Sequence, residues 1–111
     1  PEAINFGSSG VGSSLHLGME LFMAKAGIRM THVPFSGGGP LLQALLAGTI
    51  DVSLDVAATT SALIREGRIR ALATTAPARM PGLPDLPALN ETYPGAELAS
   101  WHGLAAPAGT P

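Results

Sequence analysis

Short β-forming runs alternate with helical stretches through the first two thirds of this chain, and that alternation constrains the fold more than any other feature. Ile4-Asn5-Phe6 reads as a strand running into a glycine-rich turn at residues 7–12. Ser13 and Ser14 suit the N-cap of the helix that follows. Helical spacing there places Leu15, Gly18, Met19, Phe22 and Ala26 on one face, widened by Leu17 and Leu21, and Gly27 is a natural stop. Residues 30–35 form a second extended run, with Pro34 putting its end at a sheet margin. Gly37-Gly38-Gly39-Pro40 opens a second helix whose apolar side is Leu41, Leu42, Leu45 and Leu46 and whose end is Gly48. Residues 50–56 read as a third strand. Thr59, Thr60 and Ser61 are expected to cap a helix over residues 62–66, ended by Gly67. Residues 69–75, nearly all small or apolar, predict a fourth strand covered on both faces.

This β-α-β-α-β-α-β order predicts an α/β fold: a three-layer sandwich with a mostly parallel sheet and helices on both sides. Beyond it, prolines punctuate an irregular segment at residues 77–98, with one helical turn near residues 88–91. Residues 99–111 read as a return strand followed by a linker. A chain of 111 residues has room for one core, so residues 1–111 are expected to form a single lobe. The charged share of 13% is about half that of ordinary soluble domains, and 46% is hydrophobic. That balance argues against disorder.

Composition also removes whole function classes. Six basic and eight acidic residues leave a net charge of -2, and the cations are scattered. No face collects enough of them to track phosphates, so no nucleic-acid partner is expected. Without cysteine there are no disulfides, thiolate zinc sites or thiol nucleophiles. No apolar run approaches the ~20 residues of a membrane-spanning helix, and no signal-peptide pattern is present. The chain opens at Pro1 without a methionine, which reads as a processed or excised piece.

The string Gly7-Ser8-Ser9-Gly10-Val11-Gly12-Ser13-Ser14 is the most informative feature. In open α/β sheets ligands sit beyond the carboxyl ends of the strands. A helix N-terminus there presents N–H groups and partial positive charge, which suits a carboxylate or phosphate. Glycines admit close approach and serines add hydroxyls. A plain capped turn fits the same residues equally well. The glycine order is G-x-x-G-x-G rather than the dinucleotide fingerprint, and no P-loop lysine follows. Ser9 has Gly7 before it but Val11 after it, so the nucleophile elbow fails too. A second glycine loop, residues 36–39, feeds another helix N-terminus and could face the same crevice. Asp55, at the end of the third strand, could receive a ligand N–H, orient a loop or cap the next helix. His16, His32 and His102 lie far apart in the sequence and lack metal-ligand spacing, so neither a metal nor a cofactor is expected. Trp101 reads as packing or as a contact to a neighbouring lobe.

Taken together, several strings resemble the solute receptors of the tripartite tricarboxylate transporters, the Bug (TctC-like) family. They are Asn5-Phe6-Gly7-Ser8-Ser9-Gly10-Val11-Gly12-Ser13-Ser14-Leu15-His16-Leu17, His32-Val33-Pro34-Phe35 and Gly39-Pro40. Further along come Gly67-Arg68-Ile69-Arg70-Ala71-Leu72-Ala73, Leu83-Pro84-Asp85-Leu86-Pro87 and residues 101–111. The resemblance implies one lobe, the second, of a type II periplasmic binding protein. It implies a small carboxylate as ligand, a missing first lobe of the same receptor as partner, membrane transporter subunits downstream, and a periplasmic location. Carried onto this sequence, the ligand-binding residues would be Ser8, Gly10, Gly12, Ser13, Ser14, His16 and Asp55. Ser36 and Gly38 depart from the family's common basic residue and serine, which puts the second loop's specificity in doubt. Ala88 stands where a threonine is common. Two other readings stay open: an isolated folding unit that pairs as a homodimer, and a flavodoxin-like nucleotide-dependent enzyme domain.

Overall fold

The computed structural model describes residues 3–99 and 104–110. Three parallel strands form its sheet: β1 (Asn5–Ser8), β2 (Thr31–Pro34) and β3 (Val52–Ser53), in the order β2-β1-β3. Helix α1 (Ser14–Ala26) connects β1 to β2, and α2 (Gly38–Ala47) leads on to β3. The chain continues through α3 (Ala57–Arg65) and ends its helices with the single turn α4 (Leu89–Thr92).

Period-2 alternation along β1 sorts the core into two faces. Phe6, fully buried, packs with Met19 and Met23 of α1, and Phe22, Met30, Val52 and Leu54 close around them. The opposite face buries Leu41 and Ala44 of α2 with Ile50, flanked by Leu15, Val33, Phe35 and Leu45. The sheet is therefore covered by α1 on one side and α2 on the other, the expected three layers. Burying a side chain of this size is worth about 1.5–3 kcal/mol, so Phe6, Leu41 and Ile50 anchor the lobe. Gly7 faces the α2 side. A Cβ there would collide with the buried side chains of Leu41 and Ile50, so the missing side chain is what lets α2 settle close. Gly18 does the same for α1, where a Cβ would lie 2.6 Å from Leu98 and 2.7 Å from Leu54.

Local signals place the first elements well. Ser13 is the N-cap of α1, and Gly27 ends it by donating its N–H to the Met23 carbonyl. β2 is an edge strand, which accommodates Pro34 at its last position. Leu17 departs from the expected apolar face: it is 55% exposed, whereas Met23, one turn beyond Met19, is buried. Helix α3 begins at Ala57, five residues before the expected start. Its hydroxyls do not cap it. Thr59 and Thr60 donate back to the Val56 carbonyl and Ser61 to that of Ala57, the i−3 and i−4 pattern of residues inside a helix.

The expected fourth strand over residues 69–75 is not formed. Leu72 is 63% exposed, so the run lacks the two-sided cover its composition signals. In place of a ladder there is one parallel bridge between Thr74 and Ala88. Thr74 donates to Pro87 at 2.9 Å and accepts from Leu89 at 2.8 Å, and Leu98 donates to Thr75 at 2.9 Å. The partner segment is proline-rich, and a proline without an N–H cannot extend a ladder. The return strand expected from residue 99 lies partly outside the described residues, as do Trp101 and His102; residues 104–106 form no strand.

Candidate functional site

Parallel register brings the ends of β1 and β2 together, with Ser8 opposite Pro34. Each strand then enters a glycine loop and a helix on opposite faces of the sheet. Two helix N-termini therefore flank one edge, each carrying partial positive charge. β3 pairs with Phe6 and Gly7, so Asp55, two residues beyond it, belongs to the same edge.

The first loop is tied from within. Ser8 is fully buried, and its hydroxyl meets the Gly10 N–H at 3.2 Å, the Gly10 carbonyl at 3.1 Å and His32 Nε2 at 2.6 Å. The Ser13 hydroxyl donates to the Gly10 carbonyl at 2.7 Å and accepts the His16 N–H at 3.2 Å. The Ser13 N–H also reaches that carbonyl, at 3.2 Å. Gly10 is thus held by two hydroxyls and an N–H, and the serines supply their polar atoms to the loop itself. Gly12, by contrast, faces open space. Its φ is 81°, a left-handed value that favours glycine, and a Cβ there would meet nothing within 4 Å. Its N–H donates to His16 Nδ1 at 3.0 Å.

The second loop has no side-chain cap. Gly37 is the N-cap of α2, and added Cβ atoms at Gly37, Gly38 or Gly39 would likewise meet open space. At Asp55, Oδ1 accepts the Val56 N–H at 2.7 Å. Oδ2 is buried without a hydrogen bond, as is the Ser53 hydroxyl. Burial pushes the Asp55 carboxyl above its ordinary 3.8, while hydrogen bonds from Val56 and Thr59 favour the charged form.

The fold thus collects Ser8, Gly10, Gly12, Ser13, Ser14 and His16 in one turn and sets Asp55 along the same edge. Sequence reasoning missed His32. It lies opposite Phe6 in the sheet and stacks on it with ring centroids 4.9 Å apart. His16 stacks against it too, at 3.9 Å with the planes within 6°, and is itself 6.3 Å from Phe6. Strand parity could have placed His32 on the Phe6 face; nothing local could have placed His16 against it. Among the described residues no three His, Asp or Glu side chains gather as a metal site.

A parallel α/β lobe with helix N-termini lining the carboxyl edge of its sheet is the architecture of one lobe of a type II periplasmic solute-binding protein. The chain belongs to the TctC family, the tripartite tricarboxylate transporter family receptors, which it matches over residues 1–111. It is 38% identical to a UPF0065 protein of a Pseudomonas species, covering 100% of this chain and 34% of that protein. Rpa4515 of R. palustris, solved with adipate, superposes with a TM-score of 0.94 at 39% identity over 100% of this chain and 38% of that one. MatC of Rhodopseudomonas palustris, solved with bound malate, gives 0.80 at 34% identity over 87% of this chain and 33% of that one. The chain spans about a third of the length of these relatives. They are solute-binding receptors and not enzymes, which sets aside the nucleotide-dependent enzyme domain.

Proposed function

We propose that this chain is the second lobe of a periplasmic receptor that closes on a small carboxylate and delivers it to membrane transporter subunits. The anion's seat is the loop of Ser8, Gly10, Gly12, Ser13 and Ser14 at the start of α1, with His16 behind it. The Gly37–Gly39 loop lies on the far side of the crevice, and Asp55 offers an acceptor at one end. The observation that carries this reading is the open approach to Gly12 beside the Ser13-capped N-terminus of α1. The carboxylates bound by Rpa4515 and MatC support the ligand class. A first lobe of the same receptor would supply the remaining hydrogen bonds and exclude water.

The test is calorimetry of a two-lobe receptor carrying this lobe, with a panel of mono- and dicarboxylates that includes adipate and malate. Binding is expected, and Gly12→Asp is expected to abolish it while leaving the fold intact, because a fixed carboxylate would occupy the anion's place. Retained affinity in the folded variant would move the site to the second glycine loop.

A second reading concerns the lobe by itself. Both β2 and β3 are sheet edges among the described strands, and Leu72, after α3, is exposed. Unpaired edges recruit other chains. We therefore also propose that the isolated lobe pairs as a homodimer, the simplest closed use of one self-complementary patch. Light scattering over a dilution series tests it; a monomer mass at every concentration overturns it.

A further inference from the structure

The geometry points to a positioning role for His16 and His32: the stacked pair braces the glycine loop from below, and the brace holds while both rings are neutral. This inference rests on the loop being the anion's seat, but its structural content is independent of any ligand.

His16 Nδ1 accepts the Gly12 N–H, so that nitrogen carries no proton and the ring's proton sits on Nε2, 3.3 Å from Glu20. His32 Nε2 meets the Ser8 hydroxyl, which also serves both polar groups of Gly10. One ring therefore fixes Gly12 and the other fixes Gly10 through Ser8. The two imidazoles are nearly parallel with centroids 3.9 Å apart, and Phe6 packs beside the pair, 4.9 Å from His32 and 6.3 Å from His16. The brace thus joins β1, β2 and α1 at the point where the loop leaves the sheet.

A proton on His16 Nδ1 would turn an acceptor into a donor facing another donor, and Gly12 would lose its partner. A proton on either ring would also set a cation against the face of the other imidazole. Burial and the neighbouring His16 hold His32 below its ordinary 6.5, and Glu20 works weakly the other way. Among the described residues those two side chains are the titratable groups that act on His32, and β1 contributes Phe6 and Ser8.

Amide hydrogen exchange and NMR shifts of this chain, without ligand, test the brace between pH 8 and pH 5. Exchange rates are compared after correction for the intrinsic pH dependence. The Gly12 amide is expected to lose protection at least tenfold on going from pH 8 to pH 5. His16→Phe keeps a ring in the stack but no acceptor, and is expected to leave Gly12 unprotected at every pH. His16→Asn keeps an acceptor oxygen near the Nδ1 position, and is expected to protect Gly12 without a titration. A Gly12 amide that stays protected from pH 8 down to pH 5, or in folded His16→Phe, overturns the proposal. Adipate added to the same samples separates the two readings. If the brace behaves as expected but adipate leaves the Gly10 and Gly12 resonances unmoved, the anion site lies elsewhere and the brace stands.

Discussion

At the scale of single residues, two positions set limits of opposite kind. Gly7 is a packing constraint, since any side chain there meets Leu41 and Ile50, both buried too deeply to swing aside. Gly7→Ala is expected to cost about 1–3 kcal/mol, the usual penalty for overpacking, read as a lowered denaturation midpoint at unchanged slope. Asp55 is a stability cost at the carboxyl edge of the sheet. Its carboxyl is raised by burial, so the folded state takes up a proton more readily than the unfolded chain. Stability linked to Asp55 is therefore full below the ordinary 3.8 and declines as pH rises through the higher folded value. Asp55→Asn removes that decline. A gain of about 2–4 °C in melting temperature is expected at pH 7, vanishing as pH falls toward 4. Equal melting curves at pH 7 would show that the buried carboxylate is better satisfied than its geometry indicates. Of the site residues, the serines and glycines were legible as a group because capping chemistry is local. The His16–His32 contact was not, because it joins a helix to a strand and is made only when the sheet forms.

Elements differ in how firmly their neighbours hold them. The layers around β1 are cored on both faces, whereas residues 77–98 are pinned largely by polar contacts. Arg79 grips Glu91 through Nε at 3.0 Å and Nη2 at 2.9 Å, and its Nη1 donates to the Pro84 carbonyl at 3.2 Å. Glu91 also accepts the Ala88 N–H at 2.7 Å, closing the first turn of α4. The guanidinium and that N–H hold the Glu91 carboxyl down at about 2. The contribution is present above its ordinary 4.5 and lost as pH falls through about 2. Both groups are exposed, so the effect on global stability is small, but the effect on the segment is not. Arg79→Ala is expected to speed limited proteolysis between residues 77 and 92 severalfold with little change in melting temperature. Unchanged cleavage would show that the Thr74–Ala88 bridge suffices. The same contrast explains what the sequence could convey. Periodicity reports elements that bury a face, as α1 and α2 do. It misread residues 69–75, where apolar composition has no cover around Leu72, and it misplaced the start of α3, where hydroxyls bond backwards inside the helix.

For the whole molecule, the contiguous β-α-β-α-β core predicts a cooperative unfolding transition without metal or cofactor; a broad melt with weak near-UV dichroism would count against it. The lobe alone is expected to bind adipate or malate only in the millimolar range, about 4 kcal/mol, because an anion on one open face stays hydrated and screened. Micromolar binding by calorimetry would mean that the site needs no second lobe. The inward engagement of Ser8 and Ser13 carries one more consequence. Their hydroxyls are committed within the loop, and so are the N–H groups of Gly10, Gly12 and Ser13, so on the proposed reading a solute meets the loop's remaining peptide groups or displaces these bonds. Peptide groups recognise a charge and a direction but are the same in every sequence. On the proposed reading the choice among carbon skeletons then falls to the opposite wall of the crevice.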